Sequence, residues 1–282
     1  MHGASSSPPL HHLVVDLPYR RNVLDRALEI ATIPLVGFLS RHPPRREVLE
    51  TQIQQLVGDI PPRFHHAILS SALREITRIL LRGWSRLDLS PLERIPDSPW
   101  KTDGPVLFLS MHHGQWEWLA GILTRLRPGT LCIARAPGHP LGRRLLSTIR
   151  DHVGLRMVHD LESVRAGRRQ LRAGGLVAFL ADQRPPGAYR EGTWMGQPTR
   201  VTRLPEWWTE GRDIPIWTGV LHPGRSSYTL ELKAWSSDLL PHWDALLDQE
   251  FLPLLRCHPW DHFGLWHHRL KSRAQWRNTE LR

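Results

Sequence analysis

After Gly104 the chain alternates between short, unbroken apolar runs and longer stretches of helical spacing, and few folds accommodate that order. Apolar runs occupy residues 106–111, 130–134, 157–158 and 175–181. Helical spacing fills residues 116–126, 141–153 and 161–173 between them, the last strongly basic. A strand that is apolar at every position has both faces buried, and helices on both sides of a parallel sheet supply that burial. Two further strand-like runs, 214–220 and 228–232, precede a helical stretch at 245–255. The expected fold class is α/β, with a mainly parallel central sheet flanked by helices.

The first third reads differently. Residues 21–87 carry helical stripes, such as Leu24, Leu28 and Ala31, then Ile68, Ala72, Ile76 and Ile79. Pro43-Pro44 and Pro61-Pro62 break them, which predicts about three helices. Residues 1–20, with Ser5-Ser6-Ser7-Pro8-Pro9, read as a flexible tail. The division expected is a tail over 1–20, an N-terminal helical region and connector over 21–99, and an α/β domain over 100–282. The first twelve residues lack the apolar core of a signal peptide. The best membrane-span candidate, residues 30–39, contains Pro34 and Gly37 and is too short to cross a bilayer. Membrane contact is therefore expected to be peripheral.

Charge narrows the class of partner. Lysine and arginine number 37 against 27 aspartates and glutamates, a formal +10, and Lys101, Lys233 and Lys271 are the only lysines. Arginine grips phosphate and carboxylate with a planar fork. Such a balance predicts an acidic partner: nucleic acid, anionic lipid headgroups, an acidic protein or a phosphorylated cofactor. Cys132 and Cys257 are too few for a disulfide framework, and Cys132, inside an apolar run, reads as a buried thiol. A cytosolic setting is the default for such cysteine usage.

The chemistry concentrates in Ser110-Met111-His112-His113-Gly114-Gln115-Trp116-Glu117-Trp118. His112 and Glu117 are five apart, and on one helix they would point about 140° away from each other. A strand ending near Met111, a turn at His113-Gly114 and a helix from about Gln115 would let them meet. His112 would then stand at the carboxyl edge of the sheet, where α/β proteins place their sites. Two readings fit: a general base with its orienting acid, or a strand-end histidine beside a glutamate at a helix dipole. His113 competes with His112, being four residues from Glu117. The residues do not form the helical H-E-x-x-H pattern of a zinc site, so no metal is expected. Asp182, Gln183 and Arg184 follow one apolar run and Arg135 follows another, which puts all four on the same edge. They are either substrate-binding groups or ordinary polar turns. No P-loop, GxGxxG or G-x-S-x-G motif is present, nor any nucleic-acid recognition motif.

Four segments taken in order resemble the bacterial lipid A late acyltransferase family, within the wider glycerolipid acyltransferases that carry an H-x4-D/E motif. His112-His113-Gly114-Gln115-Trp116-Glu117 is similar to its H-x-G-N-W-E block, with Gln115 where Asn is usual. Arg135, Pro140 and Gly154-Leu155-Arg156 resemble the second block. Asp182-Gln183 and Gly196-Gln197-Pro198-Thr199 resemble the third, and the segment from Pro259 to Lys271 the closing one. The resemblance implies an O-acyltransferase that moves a fatty acyl chain from a thioester, on acyl carrier protein or coenzyme A, to a hydroxyl of a glycolipid. It implies His112 as base and Glu117 as its partner, with Arg135 and Asp182 as candidate site residues; Gln183 and Arg184 remain the strand-end candidates for binding substrate. Backbone N–H groups near Gly114, or Arg135, would face the oxyanion. No cofactor beyond the donor thioester is implied. The expected location is the cytoplasmic face of the inner membrane, held peripherally on anionic lipid, without nucleic acid. The competing expectation is a non-catalytic binder of anionic lipid or nucleic acid.

Overall fold

The computed structural model describes residues 8–41, 46–60, 63–81, 83–95, 100–101, 103–134, 144, 147–148, 150–151, 154–158, 162–182, 189–194, 197–224 and 226–262. In chain order the elements are β1 (His11–Pro18), α1 (Val23–Leu39), α2 (Arg46–Val57), α3 (Phe64–Leu80), α4 (Ser90–Glu93) and β2 (Val106–Ser110). Next come α5 (Trp116–Leu126), β3 (Leu131–Ile133), β4 (Arg156–Val158), α6 (Ser163–Arg172) and β5 (Leu176–Leu180). The hairpin β6 (Tyr189–Trp194) and β7 (Gln197–Thr202) leads to α7 (Leu204–Thr209), β8 (Ile216–Pro223), β9 (Ser227–Trp235) and α8 (Trp243–Cys257). A single 3-10 turn, Pro259–Asp261, closes the described part.

Seven strands form one sheet in the order β1-β9-β8-β2-β5-β3-β4. The five from β8 to β4 pair in parallel, while β9 runs antiparallel to both β8 and β1. This is the α/β class the alternation predicted. All five β2 positions are buried, and their side chains divide between the two faces. Leu107 and Leu109 pack with Val177, Ile53, Ile68, Trp208 and Phe251 on one side. Val106 and Phe108 pack with Trp118, Ile122, Trp217 and Tyr228 on the other. Helices α2, α3 and α8 thus cover one face, and α5 covers the opposite one.

Two expectations change. Residues 11–18, placed in a tail, form β1 and pair with β9 along its whole length. Leu13, Val15 and Leu17 turn inward while Val14 and Asp16 stay exposed, so the alternation is real but short. Its partner lies more than 200 residues away, so nothing local announced it. Residues 189–202, to which the sequence assigned no strand, hold the β6–β7 hairpin. Asp244 anchors it by accepting from the Thr193 amide at 2.8 Å and from Arg190 at 2.7 Å. The three helices expected in the N-terminal third are α1, α2 and α3.

Candidate active site

The register of the central strands decides which residues meet. Ser110 of β2 stands opposite Leu180 of β5, and the offset of 70 holds along the whole pair. Two residues further on, the same offset sets His112 beside Asp182. The Asp182 carboxylate, with no exposed surface, accepts from the His112 backbone N–H at 3.0 Å. Its other oxygen lies 2.6 Å from His112 Nδ1. A carboxylate offers only acceptors, so Nδ1 carries the proton and Nε2 keeps the lone pair. The His112 side chain retains 17% of its exposure, against none for Asp182. The aspartate is sealed in and the imidazole reaches the surface. Trp116 packs edge-on to that imidazole at 5.4 Å between centroids.

Glu117 lies in the first turn of α5, as the spacing predicted, but its carboxylate is engaged by Arg150, at 2.8 and 3.1 Å. The carboxylate beside His112 is thus Asp182, and Glu117, expected there, is paired with Arg150 instead. Spacing within one segment pointed to Glu117; the pairing that matters runs between two strands. The neighbouring Cys132 thiol is pushed up to about 12 by burial, with the Glu117 charge adding to it. It is not a nucleophile near neutral pH.

The turn at residues 112–115 uses its own amides. His113 N–H donates to Met111 O, Gly114 N–H to Asp261 O at 2.9 Å, and Gln115 N–H to Leu221 O at 2.9 Å. The Gly114 amide, expected to face an oxyanion, is therefore committed to structure. Gly114 serves the site through its conformation: φ is +61°, and a Cβ there would meet Leu221 O at 2.3 Å. Arg135, Gln183 and Arg184 lie outside the described residues, as does most of the closing segment 263–271.

Sequence reasoning missed the support beneath the turn. Gln115 donates to Glu75 at 2.8 Å, and Glu75 accepts from Tyr228 at 3.0 Å and from Arg78 at 3.1 Å. Burial pushes the Glu75 carboxyl up, against the pull of Arg78. Glu75 stands in a helix with Arg78 three positions on, and nothing in that local pattern marks it as buried. His113 is fully buried between His222 and His262, and burial with those neighbours holds its pKa well below the usual value. Among the described residues no group of three or more His, Cys, Asp and Glu side chains could hold a metal ion.

His112 thus presents an imidazole, paired through Nδ1 with a buried carboxylate, at the carboxyl edge of a parallel sheet, an arrangement able to move a proton. Residues 73–205, a little under half of the chain, match the family model of bacterial lipid A biosynthesis acyltransferases. Over that stretch the chain is similar to acyltransferases of lipid A biosynthesis. The matched stretch contains His112, Glu117 and Asp182, and ends before Pro259. No curated protein matches the chain.

Proposed function

We propose that this chain transfers a fatty acyl group from a thioester, on acyl carrier protein or coenzyme A, to a hydroxyl of a lipid A-like glycolipid. His112 acts as general base. Its Nε2 takes the acceptor proton while the hydroxyl oxygen attacks the thioester carbonyl. The tetrahedral oxyanion collapses to the new ester, and the departing thiolate takes the proton back from the imidazolium. Asp182 holds Nδ1–H and offsets the charge that forms on the ring. Glu117 works one step back, fixing Arg150 against the first turn of α5. The observation that carries this reading is the 2.6 Å contact between His112 Nδ1 and Asp182 at the sheet edge.

The reading places the protein peripherally on the cytoplasmic face of the inner membrane. Among the described residues no helix is long and apolar enough to cross a membrane. What supports surface contact is α1, whose outer face shows Val23, Ile30, Ile33 and Phe38, with Ile30 66% and Phe38 65% exposed. Arg20, Arg26 and Arg41 lie exposed around it. An apolar helix face bordered by arginines suits the headgroup boundary of anionic lipid.

The test is acyl transfer by purified protein from long-chain acyl carrier protein and acyl-CoA thioesters to lipid A-type acceptors, read by the mass gained. General-base assistance is typically worth about 10²–10⁴ in rate, so His112→Ala should lose that much with the fold retained. Near-wild-type transfer by His112→Ala would overturn the assignment.

A further inference from the structure

The turn at Pro259–Asp261 delivers His262 beneath the His112–Asp182 pair from a segment 150 residues later in the chain. His262 is 1% exposed. Its Nδ1 lies 3.2 Å from His112 O, which can only accept, so Nδ1–H is the donor. Its Nε2 stands 3.9 Å from Asp182 Oδ2, the same oxygen that accepts from the His112 amide. The main chain of His112 is therefore gripped on both sides. Its N–H is held by the aspartate and its C=O by His262, which itself abuts that aspartate.

The turn that presents His262 is itself pinned. Ser71 of α3 donates to Asp261 Oδ1 at 2.5 Å, and Asp261 O accepts from the Gly114 amide at 2.9 Å. His113 and His262 form an antiparallel bridge. The rings of His113 and Trp194 pack around the His262 imidazole, at 6.1 and 6.4 Å between centroids. A side chain so enclosed has little freedom, and that rigidity passes to the residue it holds. The loss of such support, with an ångström of misplacement at the reacting atom, can cost about 10²-fold in rate.

We propose that His262 is a positioning residue of the acyl transfer: clamped between the His112 carbonyl and the Asp182 carboxylate, it fixes the direction of His112 Nε2 without touching substrate. The proposal rests on the reading of His112 as base. His262→Ala should lower kcat roughly 10- to 100-fold while KM for the acyl donor stays within about twofold. His262→Asn, whose amide nitrogen can occupy the place of Nδ1, should recover most of that loss, and His262→Gln, whose nitrogen sits further out, should not. In a His112→Ala background, His262→Ala should cost less than about twofold, because the residue it acts through is gone. An equal cost in both backgrounds, or wild-type kcat in His262→Ala, overturns the proposal. If the alanine variant does not fold, the contrast between Asn and Gln decides. Nitrogen NMR of the His112 ring gives a readout independent of turnover: His262→Gln should mix its tautomers and His262→Asn should not. Unchanged spectra in both also overturn it. Activity in His112→Ala alone would instead retire the base assignment and leave the spectra to judge the clamp.

Discussion

His113 shows what a buried imidazole without hydrogen bonds does to a protein's pH response. Neither ring nitrogen has a hydrogen-bond partner among the described residues, and the ring is 1% exposed. Burial, then the nearby His262, His222 and His258, hold its folded pKa well below the usual value, with Asp182 pulling the other way. The unfolded chain therefore binds a proton at this position that the folded chain refuses. Stability from this residue is full above about pH 6.5 and falls as pH drops toward the folded value, by up to about 1.4 kcal/mol per pH unit. Urea midpoints measured between pH 7.5 and 5.5 should fall, and His113→Leu should show a shallower fall. The pair of histidines also marks how far the sequence could be read. That one of them serves as the exposed member was legible from the strand-end position. That Asp182 rather than Glu117 holds it depends on strand register, which no spacing within 110–120 encodes. The offset of 70 between two apolar runs is recoverable once those runs are aligned as neighbours.

At the scale of elements, the tight passage from β2 into α5 decides whether the site exists. Gly114 combines a left-handed backbone with a close approach to Leu221 O. Gly129, at φ +82°, has nothing within 4 Å of where its Cβ would be. Alanine at Gly129 should cost only the backbone penalty, on the order of 1–2 kcal/mol. Gly114→Ala should cost more, lower the melting temperature further, and reduce acyl transfer by displacing His112. Equal melting temperatures for the two variants would refute this account. The parallel strands and their helices were legible because each is apolar on the period its burial demands. The β1 strand and the β6–β7 hairpin were not: β1 alternates over only a few residues, and the hairpin's order comes from Asp244 and Arg190 rather than from its own apolar content. Arg135 and the closing block beyond His262 lie outside the described residues.

Across the whole molecule, a formal charge of +10 accompanies the exposed apolar face of α1, and the proposed function joins the two in contact with anionic lipid. Replacing Ile30 and Phe38 by aspartate should weaken binding to anionic vesicles at least tenfold, since burying each large apolar side chain is worth about 1.5–3 kcal/mol. The melting temperature should hold, because both residues face outward. Raised salt should weaken binding of the unaltered protein, and binding that ignores both changes would exclude α1 as the contact. The buried chain Gln115–Glu75–Arg78–Tyr228 links this helical region to the site, since α3 packs on α1 and also carries Ser71.

The grip of Asp261 and His262 on the residue 112–114 turn has a consequence for biosynthesis. At about 5–20 residues per second, a ribosome needs roughly 8–30 s to travel the 150 positions that separate His112 from His262. Asp182 follows His112 by 70 positions, so only over the later part of that interval does the nascent polypeptide hold both imidazole and carboxylate without the brace. On the proposed role of His262, His112 is aligned only after the last strand of the described sheet, β9, has been synthesised.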